Sequence, residues 1–306
     1  MIQSRGPALP AHVVERVEQF LGAAARLGTI ERLPLQRLVA DYCEKFVALD
    51  VAGRPVAFIA VSPASHPGSV RDAADTARAI QGALGPDLGA AVLAPWFIGD
   101  LDGQSYSITA WCKPVSSRRW RSRWERLRMG PGILAWLADA TRHSAAEIVD
   151  HDDKIRAPLQ SLIATAALDD ATRRSAAAAL DALERGHWRP RSVVAHNDLW
   201  WGNFVHRSRI DAHAPPFRVI DWAGGKIDGT PFYDLVRLSL SLSLGRRRLR
   251  RELQAHAALL GCQPADSLHY LCVALGDLSR NLGEWPVQEL AATARSCLAH
   301  ARSGLA

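Results

Sequence analysis

The chain lacks several features that would assign it to a specialised class of protein. No uncharged apolar run approaches the roughly 18 residues that a membrane-spanning helix needs, and the N-terminal segment lacks the short apolar block of a signal peptide. The five cysteines are scattered and form no CxxC pair. Their pattern argues against a disulfide framework or a structural zinc site, so we expect reduced thiols and a cytoplasmic location.

Lysine is also scarce, since only four of the 37 basic residues are lysines. The formal net charge is +6, but the positive excess lies in two arginine-rich clusters, at residues 113–128 and 245–252. A nucleic-acid-binding protein would spread positive charge over one docking face, so we expect no nucleic-acid partner. A hydrophobic content of 48% and a charged content of 22% are typical of a globular chain, and 306 residues suffice for about two domains or lobes.

The first part of the chain has the pattern of a small sheet covered by one helix. Apolar periodicity predicts a leading helix over 12–27 and a second helix over 69–84, which Ser69 would cap. Alternating apolar residues predict two pairs of strands, at 46–51 with 55–61 and at 90–98 with 105–112. These elements form an α+β layer, and they predict a sheet-rich N-terminal lobe over residues 1–112.

The remaining residues, 113–306, are predicted to form a larger helical lobe. A break at Gly130-Pro131-Gly132 would separate two helices, and short strands are predicted at 203–206 and 217–220. The predicted helices cover residues 117–129, 133–149, 158–185 and 233–242 and continue to the C-terminus.

The densest group of reactive side chains lies around these two short strands. His196, Asp198 and Asn203 follow an apolar run, and Asp221 ends the second strand. Mg²⁺ accepts carboxylate and amide oxygens together with substrate phosphates, and two carboxylates with one amide meet that demand. Protein kinases use the same separation of five residues between a catalytic Asp and a metal-binding Asn, with a later Asp on the metal.

Three motifs in this region occur in the order and spacing of a known family. They read H-N-D-L-W-W-G-N at 196–203, I-D-W at 220–222 and G-T-P-F-Y-D-L at 229–235. In these motifs the chain resembles the aminoglycoside phosphotransferase and choline kinase family of kinase-like small-molecule phosphotransferases. The resemblance extends over about residues 30–300 and implies a two-lobed protein-kinase-like fold of the α+β class. It also implies ATP- and Mg²⁺-dependent transfer of phosphate to a hydroxyl group of a small molecule.

The resemblance assigns roles to individual side chains. Asp198 would accept or orient the proton of the attacking hydroxyl, while Asn203 and Asp221 would hold Mg²⁺ on the nucleotide phosphates. Asp234 would support the catalytic loop from below, and His196 would pack beneath that loop as a structural residue. We expect Trp222 to serve packing, whereas Trp200 and Trp201 fit packing and substrate stacking equally well.

The nucleotide site departs from the family pattern. The strand lysine that usually contacts the phosphates is replaced by Ala60, and Lys45 on the neighbouring strand is the candidate replacement. The backbone of Ala110, Trp111 and Cys112 would read the nucleotide base at the hinge. Backbone groups are present whatever the side chains, so this hinge does not distinguish ATP from GTP.

The acceptor is constrained by charge. Residues 223–306 carry ten basic and seven acidic side chains, which disfavours a polycationic aminoglycoside. A sugar, a phosphosugar or the glycan head of an envelope lipid fits better, and the two arginine clusters could meet phosphate groups or an anionic membrane surface. Alternatively, the arginines are a solvated face opposite a core-facing stripe of Trp120, Trp124 and Leu127, and this interpretation is favoured.

Two other functions stay open from the sequence. One is an aminoglycoside-modifying kinase, and the other is a catalytically silent pseudokinase that acts as a binding protein. The acceptor and the oligomeric state are not readable from the residues.

Overall fold

The computed structural model describes residues 9–22, 24–34, 43–207, 215–280 and 286–306. These residues divide into two compact units. The first unit draws on Met1–Gln81, Ala90–Pro114 and Val205–Ala223, and the second on Gly82–Gly89, Val115–Phe204 and Gly224–Ala306.

The first half of the chain is rich in strands. Its elements are α1 (Ala11–Leu21), β1 (Leu27–Arg32), β2 (Glu44–Asp50), β3 (Pro55–Val61), α2 (Ser69–Gly89), β4 (Phe97–Leu101), β5 (Gln104–Ala110) and β6 (Lys113–Pro114). Five of the strands form an antiparallel sheet in the order β1-β2-β3-β5-β4. Its core packs Phe46, Ile59 and Ile108 against Val13 and Val17 of α1.

The second half is mainly helical. Its elements are α3 (Arg119–Ser144), β7 (Ala146–Glu147), α4 (Ala157–Ala164), α5 (Asp170–Glu184), β8 (Arg191–Ala195), β9 (Phe204–His206), β10 (Phe217–Val219), β11 (Lys226–Gly229), α6 (Tyr233–Leu242), α7 (Arg246–Leu260), α8 (Ser267–Ser279) and α9 (Val287–Leu305). A sheet-rich N-terminal region followed by a helical C-terminal region confirms the predicted α+β class. Within the ranges described, no helix is both long and apolar enough to cross a membrane.

The leading helix and the strands near it differ from the prediction. Helix α1 ends at Leu21 rather than at residue 27, because Gly22 adopts a left-handed φ of 51°. The sequence pattern missed β1, whose exposed residues do not alternate with buried ones. The strand predicted at 90–98 begins only at Phe97, and Val92 instead forms an isolated parallel bridge to Val219.

The caps of α2 also correct the prediction. Ser69 is the first helical residue rather than the cap. Ser62 Oγ accepts the N–H of Val70 at 3.0 Å, and Ser105 Oγ accepts the N–H of Arg71 at 3.1 Å. The hydroxyls of Ser62, which follows β3, and Ser105, in β5, therefore accept two of the backbone N–H groups that are unpaired at the N-terminus of α2.

The predicted helix break at residues 130–132 is wrong, because α3 continues through Pro131. Proline inside a helix costs roughly 3 kcal/mol through its missing N–H and its ring clash. Gly130 and Ile133 are buried on either side of Pro131, so packing of this face offsets that cost. The single helix predicted over 158–185 is two helices, since Asp169 caps α5 by accepting the N–H of Thr172 at 2.8 Å.

The division into units differs from the predicted boundary at residue 112. Strands β10, β9 and β6 form one sheet in that order, and Lys113 pairs with His206. Residues 205–223 therefore group with the first unit, although the sequence places them in the predicted lobe 113–306.

Candidate active site

The predicted catalytic loop joins β8 to β9 and contains a one-turn 3₁₀ helix over Trp201–Asn203. Strand β8 lies between β11 and β7, and its residues from Ser192 to Ala195 are buried. The loop therefore begins at the end of a fixed strand. Its first turn contains Asn197 with a left-handed φ of 63°, and Asn197 Nδ2 donates to the carbonyl of Gly224 at 2.8 Å.

Asp234 holds this loop from the first turn of α6. Its buried carboxylate accepts the backbone N–H of His196 at 2.5 Å and that of Leu199 at 3.3 Å. Burial raises the pKa of Asp234, against the lowering effects of His196 and of the backbone N–H donors. The two hydrogen bonds fix the backbone on both sides of Asp198.

His196 is buried and bonds within the loop. Its Nδ1 accepts the backbone N–H of Asp198 at 3.3 Å. This contact holds the backbone of Asp198, and the imidazole itself stays buried.

Asp198 presents a partly exposed carboxylate whose partner is Arg237 on α6. The Asp198 side chain is 43% exposed and that of Arg237 only 23%. Burial lowers the pKa of Arg237, but Tyr233 and Asp198 raise it, and the net shift is upward, so the guanidinium stays charged. Among the described residues, the buried Nε of Arg237 has no hydrogen-bond partner.

Sequence reasoning missed Arg237, although a signal for it was present. Arg237 follows Asp234 by three residues on a predicted helix, and residues at that spacing lie on one helix face. A basic side chain on the face that holds the catalytic loop is placed to reach a carboxylate of that loop.

Asn203 is buried and its amide is oriented by the loop itself. Its Nδ2 donates to the carbonyl of Asp198 at 2.8 Å. The nitrogen is thereby committed to the protein, and Oδ1 is the atom that could ligate a cation.

Asp221 belongs to the first unit, where it follows β10 with a left-handed φ of 67°. The next residue, Trp222, is buried and donates its Nε1–H to the carbonyl of Val219 at 3.0 Å, as expected for a packing residue. The anchored tryptophan fixes the turn, and the Asp221 carboxylate is exposed.

The oxygen donors of these residues suit Mg²⁺ better than a soft metal. Asn203 supplies a neutral amide oxygen, and Asp221 and Asp198 supply accessible carboxylates. In the described ranges, no group of three or more His, Cys, Asp or Glu side chains is placed to hold a metal ion.

Lys45 lies directly opposite Ala60 in the pairing of β2 with β3. Opposite residues of an antiparallel pair project to the same face, with Cβ atoms about 4.5–5.5 Å apart. The exposed Lys45 side chain therefore leaves the sheet beside Ala60. Within the described ranges, Lys45 forms no ion pair with a carboxylate.

The hinge backbone is partly committed to the sheet. The N–H of Trp111 donates to the carbonyl of Val56 at 3.1 Å, so this group is used within the unit. Backbone groups alternate in direction along a strand, and those of Ala110 point away from β3. Burial raises the pKa of the Cys112 thiol, with smaller lowering effects from Arg218 and Arg207, so the thiol is protonated at neutral pH.

The predicted core-facing stripe on α3 is wrong. Trp120, Trp124 and Leu127 are 84%, 58% and 72% exposed. The buried face at this end of α3 carries Ser122 and Glu125 instead, because Glu125 accepts the backbone N–H of Ser116 at 2.7 Å. In the loop, Trp201 is buried and Trp200 is 46% exposed.

Several solved structures of small-molecule kinases share this fold. Two ternary complexes of a thermostable aminoglycoside phosphotransferase APH(4)-Ia match, one with ADP and hygromycin B (18% identity, 95% of this chain, 99% of that chain, TM-score 0.56) and one with AMP-PNP and hygromycin B (17%, 96%, 99%, TM-score 0.58). A protein assigned as a fructosamine-3-kinase from Haemophilus somnus 129PT also matches (11% identity, 96% and 97%, TM-score 0.52). No protein-family model and no curated protein sequence matches the chain. The likeness confirms the predicted kinase-like fold.

Proposed function

We propose that this protein is a phosphotransferase that uses ATP and Mg²⁺ to phosphorylate a hydroxyl group of a small molecule. The observation that carries the proposal is the architecture of the loop over 196–203. Asp234 holds its backbone, Asn203 bonds the carbonyl of Asp198, and the Asp198 carboxylate is left accessible. The kinase-like fold supports the same function.

Asp198 is the catalytic residue in this proposal. Its carboxylate accepts, or at least orients, the proton of the attacking hydroxyl. Phosphoryl transfer depends on positioning and charge stabilisation more than on covalent chemistry. Arg237 serves as a positioning residue, because its fixed guanidinium holds the Asp198 carboxylate in one orientation.

Asn203 and Asp221 would hold the cation. Bound Mg²⁺ would neutralise the charge on the nucleotide phosphates. Lys45 would contact those phosphates from the position opposite Ala60. The backbone of Ala110 and Cys112 would bind the base, whereas the N–H of Trp111 is used by Val56. The proposed nucleotide is ATP, and GTP is an outcome of the test.

The acceptor is proposed to be a sugar or an envelope saccharide. The arginine content of the helical region disfavours a polycation such as an aminoglycoside. Aminoglycoside modification stays the alternative, because the matched APH(4)-Ia structures contain hygromycin B. Resistance of a host strain to hygromycin-like drugs on expression of this protein separates the two.

Peripheral contact with an anionic membrane surface is a further proposal, supported by the exposure of Trp120, Trp124 and Leu127 beside arginines of α3. Tryptophan at the headgroup level and arginine near anionic lipids both favour surface binding. Sedimentation with phosphatidylglycerol vesicles tests it, and a Trp120→Ser/Trp124→Ser variant should lose binding.

We also propose a cytoplasmic location, in keeping with five cysteines that form no disulfide.

The central experiment screens hydroxyl compounds for stimulated ATP turnover. Asp198→Ala should lower the turnover of the best acceptor by roughly 10²–10⁴ if Asp198 acts as a general base. Asp181→Ala is the matched control, because Asp181 also pairs with an arginine, at 2.8 Å, but lies on α5. Equal turnover of the two variants would contradict the assignment.

The pseudokinase alternative is separated by a thermal shift. A protein that binds nucleotide and Mg²⁺ is stabilised by an amount that rises with the logarithm of ligand concentration over Kd. Stabilisation by AMP-PNP with Mg²⁺ supports the enzyme, whereas the absence of both stabilisation and turnover favours a silent binding protein.

A further inference from the structure

The two arginine clusters of the sequence meet in one cavity of the second unit. The cavity measures about 760 Å³ and lies between the first half of α3, the end of α6 and the start of α7. Arg119, Arg123 and Arg126 line it from one cluster, and Arg248 lines it from the other. No carboxylate is found among the described residues that line it.

Most of this charge is not neutralised by the protein. Within the described ranges, Arg119 and Arg123 are exposed and form no ion pair. Arg126 lies over the ring of Trp201 at 5.8 Å, and its buried Nε has no hydrogen-bond partner among the described residues. Only Arg248 is paired, through its Nε to Glu252 at 2.6 Å.

A second cavity shows that arginine and lysine do not by themselves make an anion site. This cavity measures about 360 Å³, and three of the four cations that line it are paired with lining carboxylates. Lys154 pairs with Asp228, and Lys226 pairs with Asp277. The larger cavity therefore differs in its charge balance, because the described residues that line it include four arginines and no carboxylate, whereas the smaller cavity has three carboxylates for four cations.

The start of α7 adds backbone donors to the larger cavity. Gly245 precedes the helix and lines the cavity, and it provides no side-chain cap. The N–H groups of Arg248 and Leu249 both donate to the carbonyl of Gly245, as in an ordinary first turn. The N–H groups ahead of them are at the positive end of the helix dipole, which favours phosphate.

The larger cavity adjoins the candidate catalytic loop. Arg237, the partner of Asp198, lies on the same helix as Leu242, which lines the cavity. The two residues are five positions apart, or about 7.5 Å along the axis of α6. Ser241 Oγ accepts the N–H of Trp201 in the loop at 2.9 Å. The Arg126 guanidinium contacts the same Trp201 ring.

We propose that this cavity binds a phosphate group carried by the acceptor, so that the substrate is a hydroxyl compound that already bears a phosphate. This inference rests on the proposed phosphotransferase function and names its substrate class. Arginine suits phosphate because its planar fork donates two hydrogen bonds. The phosphate belongs to a soluble sugar phosphate or to a lipid headgroup, and the experiment separates these sources.

Binding is measured by titration calorimetry without nucleotide, with inorganic phosphate, glucose 6-phosphate and glycerol 3-phosphate as probes. Glucose and glycerol are the matched neutral probes. Phosphatidylglycerol and phosphatidylcholine vesicles form a second arm. We expect the phosphate probes to bind, and the variant Arg119→Met/Arg123→Met to bind them at least 10-fold more weakly.

The variant Arg247→Met/Arg251→Met is the control, since it removes the same charge from α7 residues that do not line the cavity. It should bind the probes like the parent protein, and the thermal midpoints of both variants should agree. Vesicle binding that only the cavity variant loses, without binding of soluble probes, assigns the phosphate to a lipid.

Equal affinity of the cavity variant and the control for every phosphate probe and for the vesicles would overturn the inference. Because the titration needs no nucleotide, phosphate binding without any ATP turnover would contradict the proposed function and leave the phosphate site in place.

Discussion

The guanidinium of Arg237 forms an ion pair with the carboxylate of Asp198, and Arg237 lies one helical turn after the Asp234 that holds the same loop. One face of α6 thus fixes both the backbone and the side chain of the candidate catalytic residue. A carboxylate held in one orientation loses less entropy when a hydroxyl approaches it.

Replacing Arg237 should therefore affect the chemical step. We expect Arg237→Met to lower kcat by about 10- to 100-fold, with little change in KM for ATP. This factor corresponds to the free energy that a hydrogen bond to a charged group contributes. Steady-state kinetics at saturating acceptor measure both constants. Arg142→Met, which removes an arginine from a surface pair with Asp139, is the control and should leave kcat unchanged. A rise in KM at constant kcat would show that Arg237 acts on binding instead.

Residues 45 and 60 are partners in the pairing of β2 with β3, so a lysine at either position should reach the nucleotide phosphates. Lys45→Met should raise KM for ATP at least 10-fold, because it removes a cation from the phosphates. Adding Ala60→Lys to that variant should restore most of the affinity, since residues 45 and 60 lie opposite each other. Lys113→Met on β6 is the control. If the double variant binds ATP no better than Lys45→Met, the phosphate contact of Lys45 is wrong.

His256 predicts a loss of stability in acid. Thr141 Oγ1 donates to the carbonyl of Leu137, so it accepts from His256 Nδ1 at 3.2 Å, and among the described residues the buried His256 Nε2 has no partner. Burial lowers the pKa of His256 to about 4, from an unfolded value of 6.5. Because the folded pKa is depressed, the stabilisation by the neutral ring is complete above the unfolded pKa and is lost as the pH falls towards the folded one.

Urea unfolding at several pH values between these two pKa values measures this contribution. The contribution of His256 to the free energy of unfolding changes by up to about 1.4 kcal/mol per pH unit, and by about 3 kcal/mol in total. His256→Leu should flatten the profile relative to the parent protein. His143→Gln, at an exposed position on α3, should not flatten it. Parallel profiles for the parent protein and His256→Leu would contradict a neutral buried ring.

The sequence predicted the elements whose signals are local. Helix α6 occupies the predicted residues, because an apolar stripe and a first-turn acid lie within one short segment. The spacing of Asp198 and Asn203 anticipated one loop, and the structure joins them by a hydrogen bond from the Asn203 amide. A motif that lies within a few consecutive residues can be recognised in the sequence without knowledge of the tertiary packing.

The features that the sequence did not predict depend on contacts between distant segments. Helix α3 continues through Pro131 because its neighbours in the helix are buried. Trp120 and Trp124 are exposed because Glu125 turns the opposite face of α3 inward to bond Ser116. The cavity joins Arg123 and Arg248, which are 125 positions apart in the sequence. Periodicity along one helix contains no information about such partners.

The proposed phosphotransfer depends on Asn203 and Asp221, which would hold a cation on the nucleotide phosphates. Calorimetric titration of AMP-PNP with and without Mg²⁺ tests it most directly, on the parent protein, Asn203→Leu and Asp221→Asn. We predict that Mg²⁺ tightens binding to the parent protein at least 10-fold and has little effect on either variant. Undiminished Mg²⁺-dependent affinity in both variants would contradict this cation site.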